Sequence, residues 1–67
     1  MRLKLTEKRM ERRVTINELA EKAGLQRSTI SRIENGDSNP TLDTLYKITT
    51  ALGITIDELL PDEREDE

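Results

Sequence analysis

The sequence predicts an all-α domain, a compact bundle of five short helices, and three observations support this class. Apolar residues recur at intervals of three and four in the clearest segments, which is the spacing of one buried helix face. A threonine suited to capping a helix start precedes four of the five segments, and Gly or Pro follows the last four. A period-two alternation appears only faintly at Met1–Leu5, where an extended arm and the start of the first helix both stay open.

The first helix is predicted near the start of the chain, with Thr6 as its cap and its first residue between Leu3 and Glu7. It continues to Arg13. Three apolar residues are candidates for its buried side: Leu5, Met10 and Val14.

Two helices joined by a tight turn occupy the middle of the chain. Thr15 and Glu18 have the spacing of a capping box, and Gly24 ends this helix where a left-handed conformation costs glycine little. The next helix begins at residue 26 or 27 and ends at Glu34, with Asn35-Gly36 as a left-handed exit. Apolar residues at helical spacing line the facing sides of this pair: Ile16, Leu19, Ala20, Ala23, Ile30 and Ile33.

The last two helices are predicted over Leu42–Leu52 and Ile56–Leu60. Thr41 caps the first and Gly53 ends it, while Thr55 caps the second with an acid three residues on. The expected core of the domain comprises Leu5, Met10, Leu19, Ala20, Ile30, Ile33, Leu42, Leu45, Ile48, Leu52, Ile54 and Leu59.

Length and composition limit the function. A chain of 67 residues builds one small core, and dimerisation is the expected way to bury more surface. The absence of cysteine and histidine removes disulfides and the usual metal ligands and general bases, so we expect no catalytic residues, no metal and no cofactor. The sequence has neither a membrane-spanning run nor a signal peptide, so we expect a cytoplasmic protein with no membrane partner.

Charge is unevenly distributed. The net charge is −3, yet residues 1–36 hold nine basic and five acidic residues. Residues 62–67 hold five acids and one base, and we expect them to form a disordered tail after a domain of residues 1–61. The tail is interpreted as an aid to solubility; the alternative is that it competes with DNA for the basic surface.

The sequence resembles the Cro/C1-type (Xre-like) helix-turn-helix family over about residues 3–60. The likeness is carried by Glu18-Leu19-Ala20, Gly24, the run from Ser28 to Gly36, and Asn39-Pro40-Thr41-Leu42. The resemblance implies a bundle of the lambda-repressor-like type in which the second and third helices form the helix-turn-helix. It also implies a sequence-specific regulator that binds double-stranded DNA through a recognition helix in the major groove, here a homodimeric repressor on an operator of two half-sites.

The outward side chains of the third helix are the candidates for reading bases. Arg27 and Ser28 stand in its first turn, and Arg32 follows one turn later on the side away from the apolar residues. Gln26 and Thr29 are possible additions, through an amide pairing with adenine and a methyl meeting thymine. The alternative is a merely solvated polar face.

Phosphate contacts and a structural ion pair follow from the resemblance. The implied phosphate ligands are Thr15, Ser31, Asn35, Asn39 and Thr41, to which Arg12 and Arg13 add charge. Arg9 matches a family arginine that pairs with the glutamate at Glu34; the alternative is a solvated surface arginine. Two positions depart from the family pattern, Ile16 in place of a phosphate-binding glutamine and Asp37 in place of a basic residue.

The dimer seam and the wider role leave alternatives open. Ile56 and Leu60 are expected partly at the seam, although closing the monomer core is their alternative role. An antitoxin or a restriction–modification controller would bind DNA in the same way, with a toxin or effector as an unknown protein partner. A protein-interaction module on the same scaffold is the alternative from another class, and Ile16 and Asp37 favour it.

Overall fold

A computed structural model describes residues 3–61 of the chain. Five helices follow in order: α1 (Leu5–Glu11), α2 (Ile16–Ala23), α3 (Arg27–Glu34), α4 (Leu42–Leu52) and α5 (Ile56–Leu59). No strand occurs within residues 3–61, so the predicted all-α, five-helix class is confirmed. Among these described helices, none has the length and apolar character to cross a membrane. The predicted acidic tail lies outside the described residues.

Threonine caps begin three of the helices. The Thr15 hydroxyl accepts the Glu18 N–H at 3.1 Å and the Glu18 carboxylate accepts the Thr15 N–H at 2.9 Å. The same reciprocal box forms between Thr55 and Glu58, at 3.3 and 3.1 Å. Thr41 accepts the Thr44 N–H at 3.2 Å and caps α4. These interactions satisfy backbone donors that have no partner inside the helix, which fixes the three starting points.

Helix α1 begins at Leu5, within the predicted range, but differs from its prediction in the cap residue and in its last residue. Lys4, not Thr6, is the N-cap residue, and it makes no side-chain cap; its backbone N–H instead donates to the Leu59 carbonyl at 2.8 Å. The helix ends at Glu11 because Arg13 turns into the left-handed region with φ 56°. Leu3 and Lys4 therefore precede the helix, and their placement is set by α5, a neighbour distant in sequence.

The core gathers residues from all five helices. Its buried members are Leu3, Leu5, Leu19, Ala20, Ile30, Ile33, Ile48, Leu52 and Leu59. Leu45 and Ile54 are half-buried against this cluster, as is Val14. Helix α3 packs on both α2 and α1, and α5 packs on α1 and α4. The helix-turn-helix is thus supported from behind by the first helix.

Two residues predicted in the core lie at the surface. Met10 is 64% exposed because five residues after Leu5 carry it about 140° round the helix, onto the opposite face. Leu42 is 59% exposed because it lies about 120° round α4 from the fully buried Ile48. Thr49, 3% exposed, occupies the inner face instead and donates its hydroxyl to the Tyr46 carbonyl at 3.2 Å.

Candidate nucleic-acid interface

Helix α3 has one face buried and one face open. Ile30, Ile33 and Glu34 are buried against the rest of the domain. Arg27, Ser28 and Arg32 are exposed on the other side, and Gln26, the N-cap residue, is exposed as well. Thr29 is half-buried at the boundary. The residues predicted to read bases therefore project from one side of one helix, with Thr29 the least accessible of them.

The open face carries positive charge at both ends of the helix. Arg27 opens the helix, Arg32 lies in its last turn, and no acidic residue occupies the first turn. The free N–H groups at a helix start add partial positive charge. An α-helix of this kind fits the major groove, where arginine can bind the O6 and N7 of guanine with two parallel hydrogen bonds.

A buried ion pair anchors α3 from behind. The Arg9 Nε donates to Glu34 Oε2 at 2.6 Å and the Nη2 to Glu34 Oε1 at 3.2 Å, so the contact is bidentate. The Arg9 Nη1 donates to the Val14 carbonyl at 2.9 Å. The side chains are 14% and 9% exposed, so the pair lies inside the protein rather than in solvent. One guanidinium thus joins α1, the loop after it and the end of α3.

Comparison with known proteins identifies the family. A family model described as helix-turn-helix matches residues 5–59, which is most of the chain. The chain belongs to the Cro/C1-type helix-turn-helix family. The match includes both helices of the motif and the three that support them.

Named members of this helix-turn-helix family are similar over most of the chain. The immunity repressor protein of Bacillus phage phi105 is 44% identical over 55 residues, covering 82% of this chain and 38% of the relative. The transcriptional regulator SinR of Bacillus subtilis is 38% identical over 60 residues, covering 88% of this chain and 54% of SinR. The chain thus spans about half or less of the length of these two relatives.

Solved structures of the family have the same fold. The restriction–modification controller protein C.AhdI from Aeromonas hydrophila superposes with a TM-score of 0.82 at 35% identity, covering 85% of this chain and 86% of that one. A crystal structure of SinR in complex with DNA gives a TM-score of 0.75 at 34% identity, covering 81% of this chain and 87% of that one.

The phosphate ligands that the family resemblance implies lie around the motif with different accessibility. Thr15 and Thr41 are exposed at the starts of α2 and α4, and each hydroxyl is engaged in its helix cap. The Thr41 hydroxyl also donates to the Thr44 Oγ1 at 3.1 Å. Ser31 is half-buried, whereas Asn35 and Asn39 are exposed. Arg12 and Arg13, which are expected to add charge, are exposed as well.

The exit from α3 differs in one detail from the predicted left-handed pair. Gly36 adopts φ 76°, but Asn35 keeps a right-handed conformation with φ −84°. Asp37, a departure from the family pattern, is exposed, and its N–H donates to the Arg32 carbonyl at 2.9 Å. Of the two residues predicted to be left-handed, only Gly36 adopts that conformation at the end of α3.

Sequence reasoning missed two features of this surface. Ile16, the first residue of α2, lines a groove together with Arg27, Ser28 and Ser31 of α3. The left-handed conformation of Arg13 is the second, since arginine at positive φ has no simple sequence signal. The departure from the family pattern at Ile16 marks this position in the sequence, but the groove itself depends on how α2 and α3 pack.

The residues expected at a dimer seam lie at the two ends of α5. Ile56 and Leu60 are half-buried, so each retains apolar surface in this single chain. Ile56 also lines a groove with Tyr46 and Ile54, and Tyr46 is 56% exposed. The apolar surface at α5 is therefore continuous with that of α4.

Proposed function

We propose that this chain is a sequence-specific binder of double-stranded DNA that regulates transcription, with α3 in the major groove. The observation that carries the proposal is the division of α3: Arg27, Ser28 and Arg32 are exposed together while its apolar face and Glu34 are held in the core. The solved complex of a similar protein with DNA supports the same role. The role is binding rather than catalysis, and such a protein acts in the cytoplasm, where the operator DNA of a bacterium or archaeon is found.

The first test identifies the operator. Sites bound by the wild-type protein are selected from a random DNA pool, and affinity for the selected site is measured by fluorescence anisotropy at several salt concentrations. We expect a defined half-site and a steep loss of affinity with salt, because arginines and lysines displace counterions from phosphates. A protein-interaction module would show no salt-dependent binding to DNA and no selected sequence, and that result would overturn the proposal.

The second test assigns the reading residues. Arg27→Ala and Arg32→Ala should each weaken binding to the selected site by about fivefold to 150-fold and relax the preference at one base pair, because a good bidentate contact contributes about 1–3 kcal/mol. Both side chains are exposed, so the fold should be unaffected. Lys47→Ala on α4 is the matched control, since that lysine pairs with Asp43 at 3.3 Å. An unchanged base preference in both arginine variants would remove them from the reading role.

We further propose that the protein acts as a homodimeric repressor that occupies two half-sites about one helical turn apart. The half-buried apolar residues Ile56 and Leu60 support a seam at α5. Ile56→Asp and Leu60→Asp should lower the sedimentation mass from dimer to monomer and weaken binding to a two-half-site operator more than to a single half-site. Met10→Asp, at an exposed apolar residue of α1, is the control. A monomeric wild type, or variants that still dimerise, would contradict this seam.

A restriction–modification controller is the second candidate function. It is favoured by the similarity to C.AhdI, which extends over 86% of that chain. A controller uses the same DNA-binding surface, so the experiments above apply unchanged. Repression or activation of a promoter carrying the selected operator, measured with a reporter, distinguishes the regulatory outcomes.

A further inference from the structure

The groove between α2 and α3 has one apolar wall and one polar wall. Ile16 supplies the apolar wall, while Arg27, Ser28 and Ser31 supply the polar wall. Ile16 is half-buried: one side of it packs on the hydrophobic core and the other faces the groove. Because Thr15 caps α2 immediately before it, the position of Ile16 is fixed by the first turn of that helix.

The groove is continuous with the face proposed to read bases. Arg27 and Ser28 belong both to the groove wall and to the exposed side of α3. The groove therefore brings Ile16 beside two of the residues proposed to read bases. The isoleucine side chain cannot donate or accept a hydrogen bond, so it has no favourable contact with a phosphate oxygen or a base nitrogen.

One group in the major groove complements an apolar wall. Each base pair displays donors and acceptors there, and thymine alone among the four bases adds a methyl group at C5. When a methyl group packs on Ile16, the apolar surfaces of both groups are removed from water, which is favourable. A polar atom against Ile16 would instead lose its hydrogen bonds to water. The partner of this wall is therefore an apolar substituent on a pyrimidine.

We propose that Ile16 is a specificity-determining residue that binds the C5-methyl group of a thymine in each half-site, next to the base contacted by Arg27 or Ser28. The inference rests on the proposed function. It assigns a role in base recognition to a residue of α2, outside the recognition helix. The departure from a phosphate-binding glutamine then exchanges a backbone contact for a base contact.

The test removes the methyl group without changing any hydrogen-bonding group of the base. In the selected operator, each thymine is replaced in turn by deoxyuridine, and affinity is measured for the wild type and for Ile16→Ala. The wild type should lose about fourfold in affinity at one thymine of each half-site, which corresponds to one buried methyl group. Ile16→Ala should bind the two DNAs about equally, and Ile16→Val should restore part of the difference.

A matched variant separates the proposed contact from a general loss of stability. Val14 is also half-buried against the core but does not line the groove. Val14→Ala should keep the fourfold ratio of the wild type even if its overall affinity falls, and circular dichroism verifies that each variant is folded at the temperature of the assay. Deoxyuridine without effect at every thymine, or effects that all persist in Ile16→Ala, would overturn the assignment while leaving the proposed function intact. Failure to select any operator would instead overturn the proposed function.

Discussion

Removing Arg9 is expected to destabilise the domain severely, although it leaves the exposed face of α3 untouched. Arg9→Ala deletes the two contacts to Glu34, at 2.6 and 3.2 Å, and the contact to the Val14 carbonyl at 2.9 Å. Glu34, which is 8% exposed, is then a buried carboxylate without its cation. Breaking a buried pair in this way costs about 3–5 kcal/mol, because the remaining charge has lost both water and partner.

The expected loss is large enough to measure by urea unfolding. A domain of this length has a total stability of about 3–10 kcal/mol, so Arg9→Ala should remove between about a third and all of it and lower the midpoint of urea unfolding, followed by circular dichroism, accordingly. Lys47→Ala is the control, because the Lys47–Asp43 pair has side chains 47% and 77% exposed and should contribute only about 0.3–0.5 kcal/mol. A double replacement, Arg9→Met with Glu34→Leu, should recover most of the stability, since an apolar pair needs no compensation for lost hydration.

The comparison of the two single variants can refute the reasoning. If Arg9→Ala costs no more than Lys47→Ala, the pair behaves as a solvated surface contact and does not anchor α3. If the double replacement is as unstable as Arg9→Ala, the loss does not arise from the unpaired carboxylate, and the lost hydrogen bond to the Val14 carbonyl accounts for it instead.

Two further predictions concern backbone conformation. Arg13→Gly should raise the unfolding free energy by up to about 1 kcal/mol, because φ 56° disfavours a side chain by about 1–2 kcal/mol and glycine loses part of that gain as chain entropy. Because Arg13 is expected to add charge near a phosphate, the same variant should reduce the slope of log affinity against log salt concentration by about 0.9. A lower melting temperature would contradict the stability prediction, and an unchanged slope would contradict the phosphate contact. Gly24→Ala should cost about 1 kcal/mol in thermal unfolding, from φ 70° alone, because a Cβ there would meet no atom within 4 Å. A loss above about 3 kcal/mol would indicate a steric clash and refute that account.

The features that sequence predicted best are those made by residues close together in the chain. Each threonine cap spans three residues, so the starts of α2, α4 and α5 were correctly placed from Thr15, Thr41 and Thr55. Gly24 and Gly53 likewise end their helices in the left-handed conformation that their sequence position indicated. Local chemistry alone determines these boundaries.

Errors occurred where a distant neighbour or the direction of a side chain decides the outcome. Thr6 has the right residue type for a cap, but Lys4 is the N-cap residue and its N–H donates to the Leu59 carbonyl. Leu59 is far away in the sequence, so no local pattern indicates this contact. Met10 and Leu42 were assigned to the core by apolar character, whereas their angular position on the helix exposes them. Within the candidate site, the open face of α3 follows from its periodicity, but the groove beside Ile16 depends on how α2 and α3 pack and required coordinates.

Different residues of α3 attach the helix to the domain and face the solvent, and this has a consequence for how such a protein acquires new DNA targets. Ile30, Ile33 and Glu34 attach the helix to its scaffold, while positions 27, 28 and 32 protrude into solvent. A library randomised at those three codons should therefore retain its melting temperature and yield members with altered operators. DNA specificity can therefore change, by evolution or by design, through substitutions at three exposed positions that leave the packing of the domain unaltered.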